Sequence, residues 1–164
     1  FRRVLFRSAQ GQFLIDNAKA AKNNSLYLYA GAASDNNAFI FFEGAWSVLQ
    51  PKIADGTFVI KNSERAIALQ GKNKLSREEI AGILGQITTE WNFDVAKKKA
   101  ADNLTVAKAA DKGDCSILAP NDGTARAIAD EFSKDPDVTS YTITGQDAEA
   151  ASLDYIARDR KSVV

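Results

Sequence analysis

"CSILAPNDGTARAIADEF", residues Cys115 to Phe132, is the stretch from which the fold can be read. Cys115-Ser116-Ile117-Leu118-Ala119 is an apolar run of strand length, and Pro120 stops it because proline has no N–H for a ladder. Asn121-Asp122-Gly123 is a turn, and Ala125 to Phe132 has the spacing of a helix. A strand leading through a short polar turn into a helix is the repeating unit of a parallel α/β sheet.

The unit recurs in both directions. Downstream, Asp135-Pro136-Asp137 is a loop, Tyr141-Thr142-Ile143-Thr144 is a strand stopped by Gly145, and Asp147 is placed to cap a last helix. Upstream, Ser25 to Ala30 is a β-prone run ending at Gly31. Asp35-Asn36-Asn37 opens a helix carrying Phe39, Phe42, Trp46 and Leu49, which is expected to fade through Pro51 to the Asp55-Gly56 turn. Thr57 to Ile60 is another strand, whereas Lys61 to Lys74 is polar and has no period. Ser76-Arg77-Glu78-Glu79 matches a capping box, and Ile80, Ile83, Leu84 and Ile87 then mark one buried helical face. A further helix over about Val95 to Ala109 would bury Val95, Ala96, Leu104 and Val106 and leave Lys97, Lys98 and Lys99 wet. Another is expected over Gln12 to Lys22. Alternating strands and helices predict an α/β fold, a Rossmann-like parallel sheet flanked by helices.

Composition narrows the function. The 164 residues carry 21 basic and 21 acidic side chains, but five of the basic ones and one acidic one crowd the two ends. Without them the charge is 16 against 20, a net −4, which is unlike the clustered basicity of a phosphate-backbone binder. Cys115 is the single cysteine and sits in an apolar run, and the chain has no histidine. Histidine acid–base catalysis, His-ligated metals and zinc clusters therefore have no residues to work with in this segment. Gly71-Lys72 lacks the upstream glycine of a phosphate loop, and no nucleophile–base pair stands out. No catalytic residue, metal ligand or cofactor is assigned, and the chain is not read as an enzyme.

In parallel α/β sheets, ligands lie beyond the carboxyl ends of the strands. That rule selects Ala32 to Asn37, the loop leading to Trp91, Pro120 to Gly123, and Gly145 to Glu149. Asn36, Asn37, Asn121, Asp122, Gln146 and Asp147 stand in these segments. Short amides and carboxylates both donate to and accept from neutral hydroxyls, as a sugar requires, and an indole such as Trp91 can lie on the apolar face of a pyranose. Each residue also has a plainer role. Asn36, Asp122 and Asp147 could cap helices, Asn121 could only form a turn, and Trp91 could belong to the core, as Trp46 is expected to.

Three phrases, "ASDNNAFIFFEGAWSVLQPKIADGTFVIKN", "ILAPNDGTARAIA" and "ITGQDAEAAS", together resemble the periplasmic sugar-binding proteins of ABC transporters, the xylose, galactose and multiple-sugar receptor group. The resemblance implies a type I periplasmic binding protein fold, in which two Rossmann-like lobes close over one monosaccharide and deliver it to a membrane permease. It places Asn121, Asp147 and Trp91 at the sugar, with Asn37 and Asn36 as further candidates. It implies a periplasmic or lipid-anchored extracytoplasmic protein. The rival is the sugar-sensing domain of a lactose-repressor-type transcription regulator, which shares the fold.

The ends read as foreign. Phe1 to Ser8 and Asp159 to Val164 back-translate to common short-read sequencing adapters, so residues 1–8 and 159–164 are expected to be translated adapter. Residues 9–145 would then be the C-terminal lobe of a sugar-binding domain, with an insertion at 66–87. Residues 146–158 would form the hinge and the start of the return to the N-terminal lobe.

Overall fold

The computed structural model describes residues 2–158, with side chains from 8 to 154. Phe1 and residues 159–164, part of the segments read as foreign, lie outside these. The elements in order are α1 (Arg2–Asp16), β1 (Asn24–Leu28), α2 (Asn36–Ala54), β2 (Phe58–Ile60), α3 (Glu64–Ala68), α4 (Arg77–Ile87), α5 (Phe93–Val106), a 3-10 turn (Ala109–Asp111), β3 (Gly113–Leu118), α6 (Asp122–Phe132), β4 (Val138–Ile143) and α7 (Ala150–Arg158). The four strands form one parallel sheet in the order β2-β1-β3-β4.

Strand alternation splits the core into two layers. Leu26, Leu28 and Ala30 face one side, where they meet Leu14 of α1, Phe42, Trp46 and Leu49 of α2, and Ile83 and Leu84 of α4. Tyr27 and Tyr29 face the other, with Ala96, Ala100 and Leu104 of α5 and Ala125, Ile128 and Phe132 of α6. The Tyr27 and Phe132 rings meet edge to face at 5.0 Å. Both phenols are buried and both are satisfied: Tyr27 donates to the Asp111 carbonyl at 3.1 Å, and Tyr29 accepts from Asn103 at 3.0 Å. Cys115 is buried beside them, and that burial pushes its thiol up to about 12.

The structure revises several sequence expectations. α2 ends at Ala54, before the Asp55-Gly56 turn as expected, but it passes Pro51 as regular helix rather than fading there. The bond that Pro51 cannot donate would have gone to the carbonyl of Ser47, an exposed residue that water can satisfy. The aperiodic stretch 61–74 holds the short α3, capped by the Ser63 side chain on the Ala66 N–H. α1 begins well upstream of Gln12, passes Ala9 without a break, and stops at Asp16 rather than Lys22. On α5, Val95 and Val106 are exposed, Val106 by 83%, because the buried stripe is Ala96, Ala100 and Leu104. Lys97 and Lys98 are on the wet side as expected, but Lys99 is half-buried and donates to the Gln86 carbonyl at 2.7 Å. Partial desolvation lowers the pKa of that amine. Trp46 is core at 2% exposure, with its indole N–H on the Lys72 carbonyl at 2.9 Å. The Ser76–Glu79 capping box is present, and α4, which occupies half of segment 66–87, buries Ile80, Ile83, Leu84 and Ile87.

Candidate functional site at the carboxyl edge of the sheet

Beyond their last ladder bonds, the strands are held together by side chains. The Asn62 amide pairs with Leu28 as another strand residue would: it accepts the Leu28 N–H and donates to its carbonyl, both at 2.8 Å. Thr144 does the same for the next strand, with its hydroxyl accepting the Ala119 N–H at 2.8 Å and lying 2.9 Å from the Ala119 carbonyl. Gln10, from α1, donates to the Ala119 and Gly145 carbonyls at 3.1 and 3.3 Å. These neutral, fully paired contacts fix the starting points of the loops that follow β1, β3 and β4.

The loop after β1 meets the loop after α4. Ala30 bridges to Thr88 in parallel, Thr89 donates its N–H to the Ala30 carbonyl at 2.7 Å, and the Thr88 hydroxyl donates to the Gly31 carbonyl at 2.9 Å. Trp91 follows, half-buried, with Glu90 and Trp91 both in the left-handed region at φ 53° and 54°. Its indole covers Gly31 so closely that a Cβ there would lie 2.1 Å from Trp91 Cζ2. Its N–H donates to Asp35 Oδ2 at 3.1 Å. Asp35 Oδ1 accepts the Asn37 N–H at 2.8 Å, so Asp35 is the cap of α2. Asn36 is therefore the first helical residue and not the cap. It is exposed, and its Oδ1 accepts from Arg77 at 3.0 Å while the Arg77 guanidinium lies 4.1 Å over the Phe39 ring. The Asn37 side chain is exposed and has no partner among the described residues.

The loop after β3 meets the loop after β4. Asn121 is the cap of α6, accepting the Thr124 N–H at 3.2 Å, so Asp122 begins the helix rather than capping it. The Asp122 carboxylate is buried and accepts the Glu149 N–H at 2.8 Å, while its own N–H donates to the Gln146 carbonyl at 3.0 Å. Arg126 clasps the same segment through Glu149 at 2.6 Å and through the Ser152 hydroxyl. Asp147 does not cap α7, which starts at Ala150 with Glu149 ahead of its first turn. Asp147 is instead exposed, at φ 96° beside Ala148 at 52°, and its carboxylate has no partner among the described residues.

The candidates thus stand in two groups along one edge: Asn36, Asn37 and Trp91 on one side, Asn121, Asp122, Gln146 and Asp147 on the other. Between them is a narrow crevice lined by Tyr29, Gly31, Phe42, Leu118 and Pro120. Asp35 lies in the 32–37 segment that the sequence places at this edge, but nothing in the sequence points to its bond with Trp91, nor to Arg77, Arg126 or Gln10. Arg126 and Gln10 are single polar residues on helices, and only the packing brings them to the loops. Among the described residues, no group of three or more His, Cys, Asp or Glu could hold a metal.

The parallel four-stranded sheet with flanking helices is a fold this chain shares with solved structures of solute-binding proteins. The chain's homologues are sugar-binding periplasmic proteins. It is 29% identical over 154 residues to the multiple sugar-binding periplasmic protein SbpA of Azospirillum brasilense, covering 90% of this chain and 38% of that one. It is 30% identical over 145 residues to the multiple sugar-binding periplasmic receptor ChvE of Rhizobium radiobacter, covering 85% and 36%. Among solved structures, a carbohydrate transporter solute-binding protein from Chloroflexus aurantiacus, in complex with D-glucose, is 63% identical at a TM-score of 0.93, over 99% of this chain and 47% of that one. An ABC transporter solute-binding protein from Clostridium phytofermentans, with β-D-glucose bound, shares the fold at a TM-score of 0.74 and 22% identity, over 99% and 46%. No family model matches the chain. The chain spans less than half the length of each of these relatives.

Proposed function

We propose that residues 9–145 are the C-terminal lobe of the substrate-binding component of an ABC-type sugar importer, with residues 146–158 as the hinge and the start of the return to the other lobe. In this reading segment 66–87 is an insertion whose α4 has been taken into the core. The protein binds a monosaccharide between its lobes, catalyses nothing, and hands the sugar to a membrane permease from the periplasm or from a lipid anchor. Trp91 offers the ring face, and Asn36, Asn37, Asn121 and Asp147 offer the hydroxyl partners. Asp122 and Gln146 act through the loop they hold. Sugar bridging two lobes favours the closed state, because only that state supplies the full set of contacts.

The observation that carries this reading is the unpartnered Asp147 carboxylate on the same sheet edge as the Trp91 indole, in a chain 63% identical to a solute-binding protein holding D-glucose. The same likeness supports a receptor over a repressor-type regulator. Calorimetric titration of D-glucose and a panel of monosaccharides into the two-lobed protein tests it. Asp147→Ala leaves a sugar hydroxyl unpaired and weakens binding by about 1–3 kcal/mol. Unchanged affinity would remove Asp147 from the site, and a wild-type protein that binds no monosaccharide would sink the receptor reading.

A further inference from the structure

We propose that Arg126 and Glu149 form a positioning pair for the Asp147 carboxylate: the pair sets where that acid stands on the sheet edge, and neither member touches the sugar. This rests on the reading of Asp147 as a sugar partner. Asp147 and Ala148 are consecutive non-glycine residues in the left-handed region, at φ 96° and 52°. Such backbone costs free energy and persists only where its surroundings over-determine it. The constraints here come mainly from α6. Upstream, the Gln146 carbonyl accepts the Asp122 N–H at 3.0 Å, and Gln10 of α1 donates to the Gly145 carbonyl at 3.3 Å. Downstream, the Glu149 N–H donates to Asp122 Oδ2 at 2.8 Å. Asp147 and Ala148 therefore form a two-residue arch with both feet on Asp122.

The bonds to Asp122 fix the feet of the arch but leave the Glu149 side chain and the first turn of α7 free to swing. Arg126, one helical turn beyond Asp122, removes that freedom. Its Nη2 donates to Glu149 Oε2 at 2.6 Å, and its Nη1 donates to the Ser152 hydroxyl. The guanidinium is a rigid planar fork, so two bonds from it fix direction as well as distance. α7 starts at the same place, where the Glu149 carbonyl accepts the Ser152 and Leu153 N–H groups at 2.9 and 3.1 Å. An ion pair whose side chains are 24% and 41% exposed adds little stability by itself. Its effect here is on position. If the arch relaxes, the Asp147 carboxylate, exposed and with no partner among the described residues, swings with it. An acceptor that must be ordered when the ligand arrives lowers affinity by the cost of ordering it. Asn121 caps the same end of α6, so the first turns of one helix set two sugar partners relative to each other.

The test asks whether Arg126 affects the sugar only through Asp147. D-glucose is titrated into the two-lobed protein and its variants, and hydrogen exchange gives the protection of the residue 149 amide in the same samples. Arg126→Met removes both bonds and keeps the aliphatic stem. Glu149→Ala breaks the pair from its more exposed end, so a folding defect at α6 does not decide the outcome. Each is expected to weaken binding about fivefold and to lower protection of that amide about fivefold or more, and the double variant to lie within about twofold of either. In an Asp147→Ala background, Arg126→Met is expected to change affinity by less than about twofold. Arg126→Lys keeps one charged donor for Glu149 and is expected to stay within about threefold of wild type. Equal losses with and without Asp147 would overturn the proposal, as would unchanged protection of the residue 149 amide. If the wild type binds no monosaccharide, or Asp147→Ala binds as well as wild type, the receptor reading of this edge fails on its own, and the protection still decides whether the pair holds the arch.

Discussion

The Asp122 carboxylate, on the first turn of α6, accepts the backbone N–H of Glu149 at 2.8 Å across the gap between the loops after β3 and β4. It is 3% exposed, and with the Asp122 N–H on the Gln146 carbonyl it ties residues 146–149 to α6 at two points. Asp122→Ala leaves the Glu149 amide without its partner in a part-buried place and is expected to cost about 1–3 kcal/mol. Urea unfolding measures the loss, and hydrogen exchange should localise it to residues 146–153. Uniform protection there would show that the Arg126 clasp suffices.

Gly31→Ala tests the close approach of Trp91. The added Cβ would sit 2.1 Å from Cζ2, far inside contact distance, so the indole must leave its place. Overpacking of this kind costs about 1–3 kcal/mol. The indole N–H should lose its Asp35 partner, seen as a shifted resonance and faster exchange. An unmoved resonance would mean that the backbone yields and the ring does not.

α4 is predicted to be integral to the core even if its segment is an insertion. Ile83 and Leu84 are fully buried against α2 and the sheet. Ile83→Ala should destabilise the protein by about 2–5 kcal/mol, as other large-to-small core changes do. A loss below 1 kcal/mol, by the same measure, would show α4 to be a loosely docked appendage.

The Asp55 turn should make stability sensitive to acid. Bonds from the Thr57 hydroxyl and N–H, at 2.6 and 2.8 Å, hold its carboxyl down to about 2, helped by Lys22. Because the folded value lies below the unfolded one, the contribution is present above about pH 4 and fades as pH falls towards 2. Urea midpoints across that window should decline less steeply in Asp55→Asn than in wild type. Parallel declines would assign the acid sensitivity to other carboxylates.

Much of this molecule was legible in its sequence, for local physical reasons. Pro120 and Gly145 stop strands because of their own backbones, and Ser76 with Glu79 starts a helix through bonds spanning three residues. The apolar period of α4 reported which of its faces is buried, the short apolar and β-prone runs marked the strands, and the strand–helix alternation reported the parallel sheet. What the sequence could not determine were contacts between residues far apart in the chain. Asp35 is 56 positions from the indole it holds, and Gln10 is 135 from the Gly145 carbonyl. Asp122 reads locally as a helix cap, yet its carboxylate is used 27 positions away. A hydrogen bond between remote residues leaves no period and no spacing in one sequence. Only the packing of helices on the sheet decides which side chains meet at its carboxyl edge, and so which residues hold the loops and which are left open to a ligand.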